Sequence, residues 1–424
     1  MNRRAFLKTG AAAAALGTLT VARTAHAAGS DVLRIGLVGC GGRGSGAAAN
    51  ALDADPNSRL VAMADAFADR LQGSLASLKG RYGERAAVDP ERCFTGFDAY
   101  QKLLASGVDV VILATTPHFR PIQLRACVEA GKHVFCEKPV AVDPPGVRSV
   151  LATCELAAKK NLNVVSGLCW RYDPGVRETI QRVLDGAIGD IVAIQETYNT
   201  GTVWHHGRKP EWTEMEYQMR NWYYFTWLSG DHNVEQHVHS LDKAAWAMRD
   251  EPPLRAWGLG GRQVRTEPKF GDIYDHHAVV YEYAGGARVY SYCRQMAGCS
   301  SDTSDVFLGT KGRADILNRR IDGPTPWRYA GPKPDMYHVE HQALFAAIRA
   351  GKAINNGLYM ARSTMLAILG RMATYSGQTI AWQDALDSQR ALAPDRYAMD
   401  GTPPTLPDGE GRYPVAMPGV GKVL

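Results

Sequence analysis

The sequence predicts an α/β protein: a doubly wound parallel sheet followed by a second domain of α+β character. Three observations carry that prediction. Apolar, β-branched runs alternate with helical patterns from residue 32 to residue 167, the order that builds parallel sheets covered by helices. A glycine cluster follows the first run at once. Beyond residue 190, three more runs read as strands, two of them joined through Ala284-Gly285-Gly286, a hairpin signal.

Residues 1–27 stand apart. Arg3-Arg4 with Phe6-Leu7-Lys8 forms a basic start, Gly10 to Val21 is an apolar stretch too short to span a bilayer, and Ala25-His26-Ala27 places small residues at a cleavage position. This pattern resembles a twin-arginine export signal. It predicts a periplasmic or otherwise extracytoplasmic protein that uses the twin-arginine export machinery and has no membrane attachment in its mature form. The segment carries four basic residues and no acid, so the formal charge falls from +5 to +1 on cleavage. A near-neutral chain gives no electrostatic case for nucleic acid or anionic lipid. The eight cysteines show no CxxC pair, so neither a zinc site nor a disulfide framework is signalled, and only Cys293 and Cys299 suggest a bridge.

The domain plan places the nucleotide-binding Rossmann domain at 31–168, an α+β domain at 169–395 and a tail at 396–424. Val32–Val38 reads as a buried strand, and a helix is expected over Ser45–Leu52. Between them lies Gly39-Cys40-Gly41-Gly42-Arg43-Gly44, a dinucleotide fingerprint in its required strand–helix context. Gly39 serves the tight turn, Gly41 lets the backbone approach a pyrophosphate, and Gly44 lets helix and strand pack closely. The second strand, Arg59–Ala64, ends at Asp65, 21 residues past Gly44, where a carboxylate binds ribose hydroxyls and repels a 2′-phosphate. No arginine adjoins Asp65 in sequence, so NAD is expected over NADP. Asp109–Ala114, Lys132–Cys136 and Asn163–Gly167 continue the alternation. Their carboxyl ends should bring Thr115, Pro117, His118, Glu137 and Lys138 to the same crevice as Gly42, Arg43 and Asp65.

Glu137-Lys138-Pro139, with Gly131-Lys132-His133-Val134 before it and Gly167-Leu168-Cys169-Trp170-Arg171 after it, resembles the Gfo/Idh/MocA oxidoreductase family. Gly189-Asp190-Ile191 and Gly309-Thr310-Lys311-Gly312 extend the likeness over nearly the whole mature chain. With the export signal, the chain is similar to the periplasmic glucose–fructose oxidoreductase branch. The resemblance implies a second domain on a large, mostly antiparallel sheet facing the nicotinamide, and a homo-oligomer formed through that open sheet. Ile191–Tyr198, His277–Tyr283 and Ala287–Tyr292 supply strands for it. The resemblance also implies that Lys138 is an active-site lysine able to stabilise a substrate alkoxide.

Val234–Trp246 reads as one amphipathic helix, which would set Glu235 beside His239 with Asp242 three residues on. An acid that orients an imidazole suits general-base oxidation of an alcohol. The family pattern has Asp where this chain has Glu235, and His237 replaces a glycine. A metal held by Glu235, His239 and His232 is the rival reading, and no metal is expected. Trp204 to Trp227 is rich in aromatic residues, Arg and Asn, a combination suited to sugar faces and hydroxyls, or else to packing against another subunit. Trp222 and Tyr223, with Arg171 and Tyr172, are the candidate substrate contacts.

These readings point to a dehydrogenase of sugars, polyols or glycosides with a tightly held cofactor. A redox-neutral glycoside hydrolase or lyase that works through a transient keto-sugar is the alternative, and a non-catalytic carbohydrate-binding protein is a third. Intact-mass measurement of the exported protein should show a chain beginning at Ala28. Replacing Arg3 and Arg4 together by lysine should abolish export.

Overall fold

A computed structural model describes residues 31–421; the export segment lies outside the described residues. The nucleotide-binding part runs β1 (Leu33–Val38), α1 (Gly42–Ala54), β2 (Ser58–Asp65), α2 (Ala68–Tyr82), β3 (Cys93–Thr95), α3 (Ala99–Ala105), β4 (Val110–Leu113), α4 (Arg120–Glu129), β5 (His133–Cys136), α5 (Pro144–Lys159) and β6 (Val164–Ser166). Its six strands lie in the order β3-β2-β1-β4-β5-β6, and all pairs are parallel. Strand order reverses between β1 and β4, the place where such sheets open a ligand crevice. β3 is too short and half-exposed to stand out as an apolar run.

The second part holds α6 (Pro174–Leu184), β7 (Ile191–Thr200), α7 (Glu214–Arg220), α8 (Thr226–Ser229), α9 (His232–Glu235), α10 (Val238–Ala247), β8 (Arg255–Gly261), β9 (His276–Glu282), β10 (Arg288–Gln295) and β11 (Asp302–Gly309). There follow β12 (Arg313–Asp315), β13 (Arg320–Asp322), β14 (Trp327–Arg328), α11 (Met336–Arg349), α12 (Gly357–Ser376), β15 (Ile380–Ala381) and α13 (Trp382–Asp387). Nine strands form one sheet, β14-β13-β12-β11-β7-β10-β9-β8-β15. Only the β7–β10 pair is parallel. The hairpin between β9 and β10 turns through Gly285 and Gly286, both at positive φ.

Local chemistry explains where several helices start. Asp143 and Asp173 each accept a hydrogen bond from a first-turn amide of α5 and α6, and a proline opens both helices. α12 is buried almost all round because it runs between α5, α10 and the large sheet, the expected position for a helix without a polar face.

The packing does not respect a boundary at residue 168. α11 lies against α1, and its Leu344, Phe345 and Ile348 share one core with Leu33, Ile35 and Leu37 of β1. The chain also returns to the edge of the first sheet, where Val164 bonds the backbone of Ile354 and Asn356. The two parts therefore share a core through α11. Leu344→Ala should cost about 2–5 kcal/mol, read as a lowered urea midpoint for the whole protein.

Candidate active site

A cavity of about 650 Å³ opens where β1, β2, β4 and β5 end, roofed by α9, α10 and the aromatic segment before α8. The glycine turn forms its floor. Gly39 sits at φ +95, and a side chain there would meet the backbone of Ala114 and Thr115. A Cβ on Gly44 would fall 1.8 Å from the Gly39 carbonyl oxygen, so only glycine lets α1 pack this close to the turn. A Cβ on Gly41 or Gly42 would meet nothing within 4 Å; both residues face the cavity. This is a cradle whose backbone a phosphate can approach at the start of a helix, and it fits a dinucleotide.

At the end of β2, Asp65 accepts the amides of Cys40 (2.6 Å) and Phe67 (2.9 Å). Burial raises its carboxyl above the ordinary range. Sequence adjacency shows no arginine there, yet Arg70 lines the same cavity from the first turn of α2 and reaches His206 at 3.0 Å. Arg43 pairs with Glu137 at 2.9 Å and lies over the Tyr337 ring. Thr115 lines the cavity and donates to Gln123.

Pro117 and His118 are corrections. Both are buried in the short turn after β4 and lie off the cavity lining. His118 pairs with the Tyr397 hydroxyl and packs edge-on against Phe119 and Trp227; burial lowers it to about 4. Thr116 takes their place on the wall, with a buried, unpartnered hydroxyl.

The predicted helix over 234–246 is broken. α9 ends at Glu235 and α10 begins at Val238, because buried His237 turns inward to Ser291 on β10 (2.6 Å). Glu235 therefore does not orient His239. Its carboxylate and its carbonyl oxygen accept from Lys138 Nζ at 3.0 and 2.6 Å. His239 still lines the cavity, with Nδ1 buried and unpartnered. Burial, then the charges of Lys138 and Lys243, hold its imidazole well below the usual range. Asp242 is turned away, bonded to Arg171 and Ser363.

Arg171, Tyr172 and Tyr223 are also corrections. Arg171 is held by Asp242 and Asp250 (2.9 and 2.5 Å) and stacks on Trp246 and Tyr359, away from the cavity. Tyr172 is buried with its hydroxyl on Asn356. Tyr223 is buried between Gln236 and Gln295. Each carries a polar end that finds its partner inside the protein. Trp222 does line the cavity, facing Trp204, with His206, Tyr198 and Gln236 nearby. Much of the rest of the aromatic run, including Tyr224, Phe225 and Trp227, forms a local core, where a sugar-binding or subunit-packing surface was expected. Sequence reasoning missed Gln236, hidden between two conspicuous residues, and Tyr337, which arrives from α11 with no local signal.

All eight cysteines are free thiols, so Cys293 and Cys299 form no bridge. Among the described residues, Asp231, His232 and His277 come close enough to hold a metal. Asp231 already pairs with His232 (2.7 Å), the Tyr375 hydroxyl (2.5 Å) and the Tyr274 amide (2.9 Å). The cluster reads as a hydrogen-bonded core, and His232 does not join Glu235 and His239. No helix of the described residues is long and apolar enough to cross a membrane.

Residues 33–167 match the model of an oxidoreductase family with an NAD-binding Rossmann fold, GFO_IDH_MocA. Inositol 2-dehydrogenase of Rhizobium meliloti (strain 1021) is 25% identical over 344 residues, 77% of this chain and 93% of that protein. A 2,7-anhydro-N-acetylneuraminate hydratase of Escherichia coli (strain K12) is 25% identical over 179 residues, 42% of this chain and 44% of that protein. The fold is shared with aldose-aldose oxidoreductase from Caulobacter crescentus: TM-score 0.63 at 20% identity, covering 82% of this chain and 99% of that one.

Arg171→Leu should cost about 3–5 kcal/mol, because it strands the buried Asp242 carboxylate. It should leave nucleotide affinity of the folded protein unchanged, measured by paired thermal melts and nucleotide titration.

Proposed function

We propose that this chain, whose residues 33–167 match the Gfo/Idh/MocA oxidoreductase family, is an exported, NAD-dependent dehydrogenase of a neutral sugar or polyol that keeps its cofactor bound. The observation that carries the reading is the meeting of Lys138, Glu235 and His239 at one end of the cavity whose floor is the glycine cradle. The likeness to an inositol 2-dehydrogenase along 77% of the chain supports a polyhydroxylated substrate.

When bound, a nicotinamide dinucleotide supplies the hydride acceptor or donor. Gly41 and Gly42 would leave room for its phosphates, Asp65 would receive its ribose hydroxyls, and the Arg43–Glu137 pair lines the same cavity. Lys138, held by Glu235, would donate a hydrogen bond to the substrate hydroxyl and favour its alkoxide. His239, kept neutral by burial and by its cationic neighbours, would take the proton. Trp204 and Trp222 give the flat apolar wall that a sugar ring's C–H face prefers. Lys138 is matched by Glu235 and Arg220 by Asp69 and Glu216, so neither of these two cations is left free for an anionic substrate.

Contacts across the cavity support the reading of a retained cofactor. Arg220 lies over Phe67 and pairs with Asp69 at 3.1 Å, while His206 meets Arg70, so the segment before α8 straps the roof to the β2–α2 side of the cavity. Little free NAD is expected outside the cytoplasm, which favours a paired reaction that oxidises one carbohydrate and reduces another. A redox-neutral lyase is the second reading, favoured by the likeness to a hydratase over 42% of the chain. Release of product with no net change in nicotinamide absorbance would select it.

Protein exported natively and purified without added cofactor should release near-stoichiometric NAD on denaturation, identified by mass spectrometry. NADP would overturn the reading of Asp65, and no nucleotide would sink cofactor retention. His239→Asn should lower kcat about 10²–10⁴-fold. Because the base form is the neutral imidazole and its protonation is pushed to low pH, wild-type kcat should hold below the ordinary imidazole range and fall only as pH drops further, checked by a pH–rate profile.

A further inference from the structure

We propose that Lys243 is a positioning residue for His239: its buried ammonium pins the His239 carbonyl and so fixes the imidazole that faces the cavity. The proposal rests on the reading of His239 as the base.

Both acids that the chain offers near His239 are engaged elsewhere, Glu235 with Lys138 and Asp242 with Arg171. The His239 ring nitrogen on the buried side has no partner, and its amide makes only a long bond to Gln236 (3.3 Å) just after the break between α9 and α10. One side chain does bond His239. Lys243, one helical turn on, donates from Nζ to the His239 carbonyl oxygen at 2.7 Å. A lysine is rarely fully buried without a partner, and this one is 1% exposed. Its ammonium lies 3.1 Å from Asp305 on β11 and over the ring of Trp170. It is thus clamped between α10 and the large sheet, and it holds the first turn of α10 where the helix ladder is weakest.

The surrounding charges make Lys243 an electrostatic device as well. Asp305 is cross-strand from Glu196 on β7, and both carboxyls are fully buried. Burial, and then the neighbouring Asp305, push Glu196 well up; burial also raises Asp305, and the Lys243 ammonium 3.1 Å away opposes that rise. The groups around His239 are therefore Lys138 and Glu235 on the cavity side, Lys243 on its own helix, and Asp305 and Glu196 behind Lys243. Two cations within reach disfavour the imidazolium, which leaves a base ready to accept a proton.

The test uses Lys243→Met and the double variant Lys243→Met/Asp305→Asn, which leaves no unpaired charge if the single variant folds poorly. The mature protein is labelled with ¹⁵N-histidine, and the His239 resonance is identified by its loss in His239→Asn. In both variants the His239 titration should move to higher pH. The acid limb of kcat should move with it, and kcat should fall about ten- to a hundred-fold, a fraction of a general base's contribution, while KM stays within about threefold. An unmoved titration in a folded double variant overturns the proposal, as does a variant that only lowers Tm while kcat and its pH profile stay at wild type. If the titration moves but His239→Asn itself keeps full activity, Lys243 controls the imidazole and the reading of His239 as the base falls instead.

Discussion

The Lys138–Glu235 pair is the interaction on which the arrangement of the site depends. Lys138 closes β5 of the parallel sheet, and Glu235 ends α9 on the other side of the cavity. Their two hydrogen bonds, one to the carboxylate and one to the carbonyl, bring the strand end and the helix end together over the cradle. The pair is largely buried, so removing one partner leaves a charge in a poor solvent. That cost holds the lysine in place, and it also explains why the glutamate serves Lys138 and not His239.

Around this pair the second part of the chain acts as a scaffold with several grips on the first. α11 joins the core behind β1, and α12 fills the space between α5 and the large sheet. The roof is gripped separately, at Arg220–Asp69 and Arg70–His206. The tail buttresses that roof: Gln218 donates to the Thr405 carbonyl, and the Tyr413 hydroxyl reaches Glu214. On the proposed reading, a cofactor under this roof would leave only when these contacts break.

The individual residues show what kind of reasoning reached the site. Gly39, Gly44 and Asp65 were legible because their roles depend on backbone geometry and on a fixed spacing within one βα unit. Glu137 and Lys138 were legible because a strand end places them. Arg171, Tyr172 and Tyr223 misled because an arginine or tyrosine near a strand end or in an aromatic run has the same sequence signature whether its polar tip meets a ligand or a buried partner. Here Asp242, Asp250, Asn356 and Gln295 were those partners, 71 to 184 residues away along the chain. His237 broke the expected helix for a related reason: its partner, Ser291, lies on a strand 54 residues later.

By itself the sequence determined the parallel βα order, the glycine cradle, the acid at the end of β2 and the lysine at the end of β5. Those features depend on hydrophobic period, on glycine's missing Cβ and on distances along a single short segment, all of which are local. Only the tertiary structure decided which acid holds Lys138, which aromatic rings face the cavity and which are core, that Arg70 and Tyr337 reach the site, and that Lys243 stands behind His239. Each of those outcomes is a competition between possible partners for one buried polar group, and burial is a property of the packed molecule that no local stretch of sequence contains.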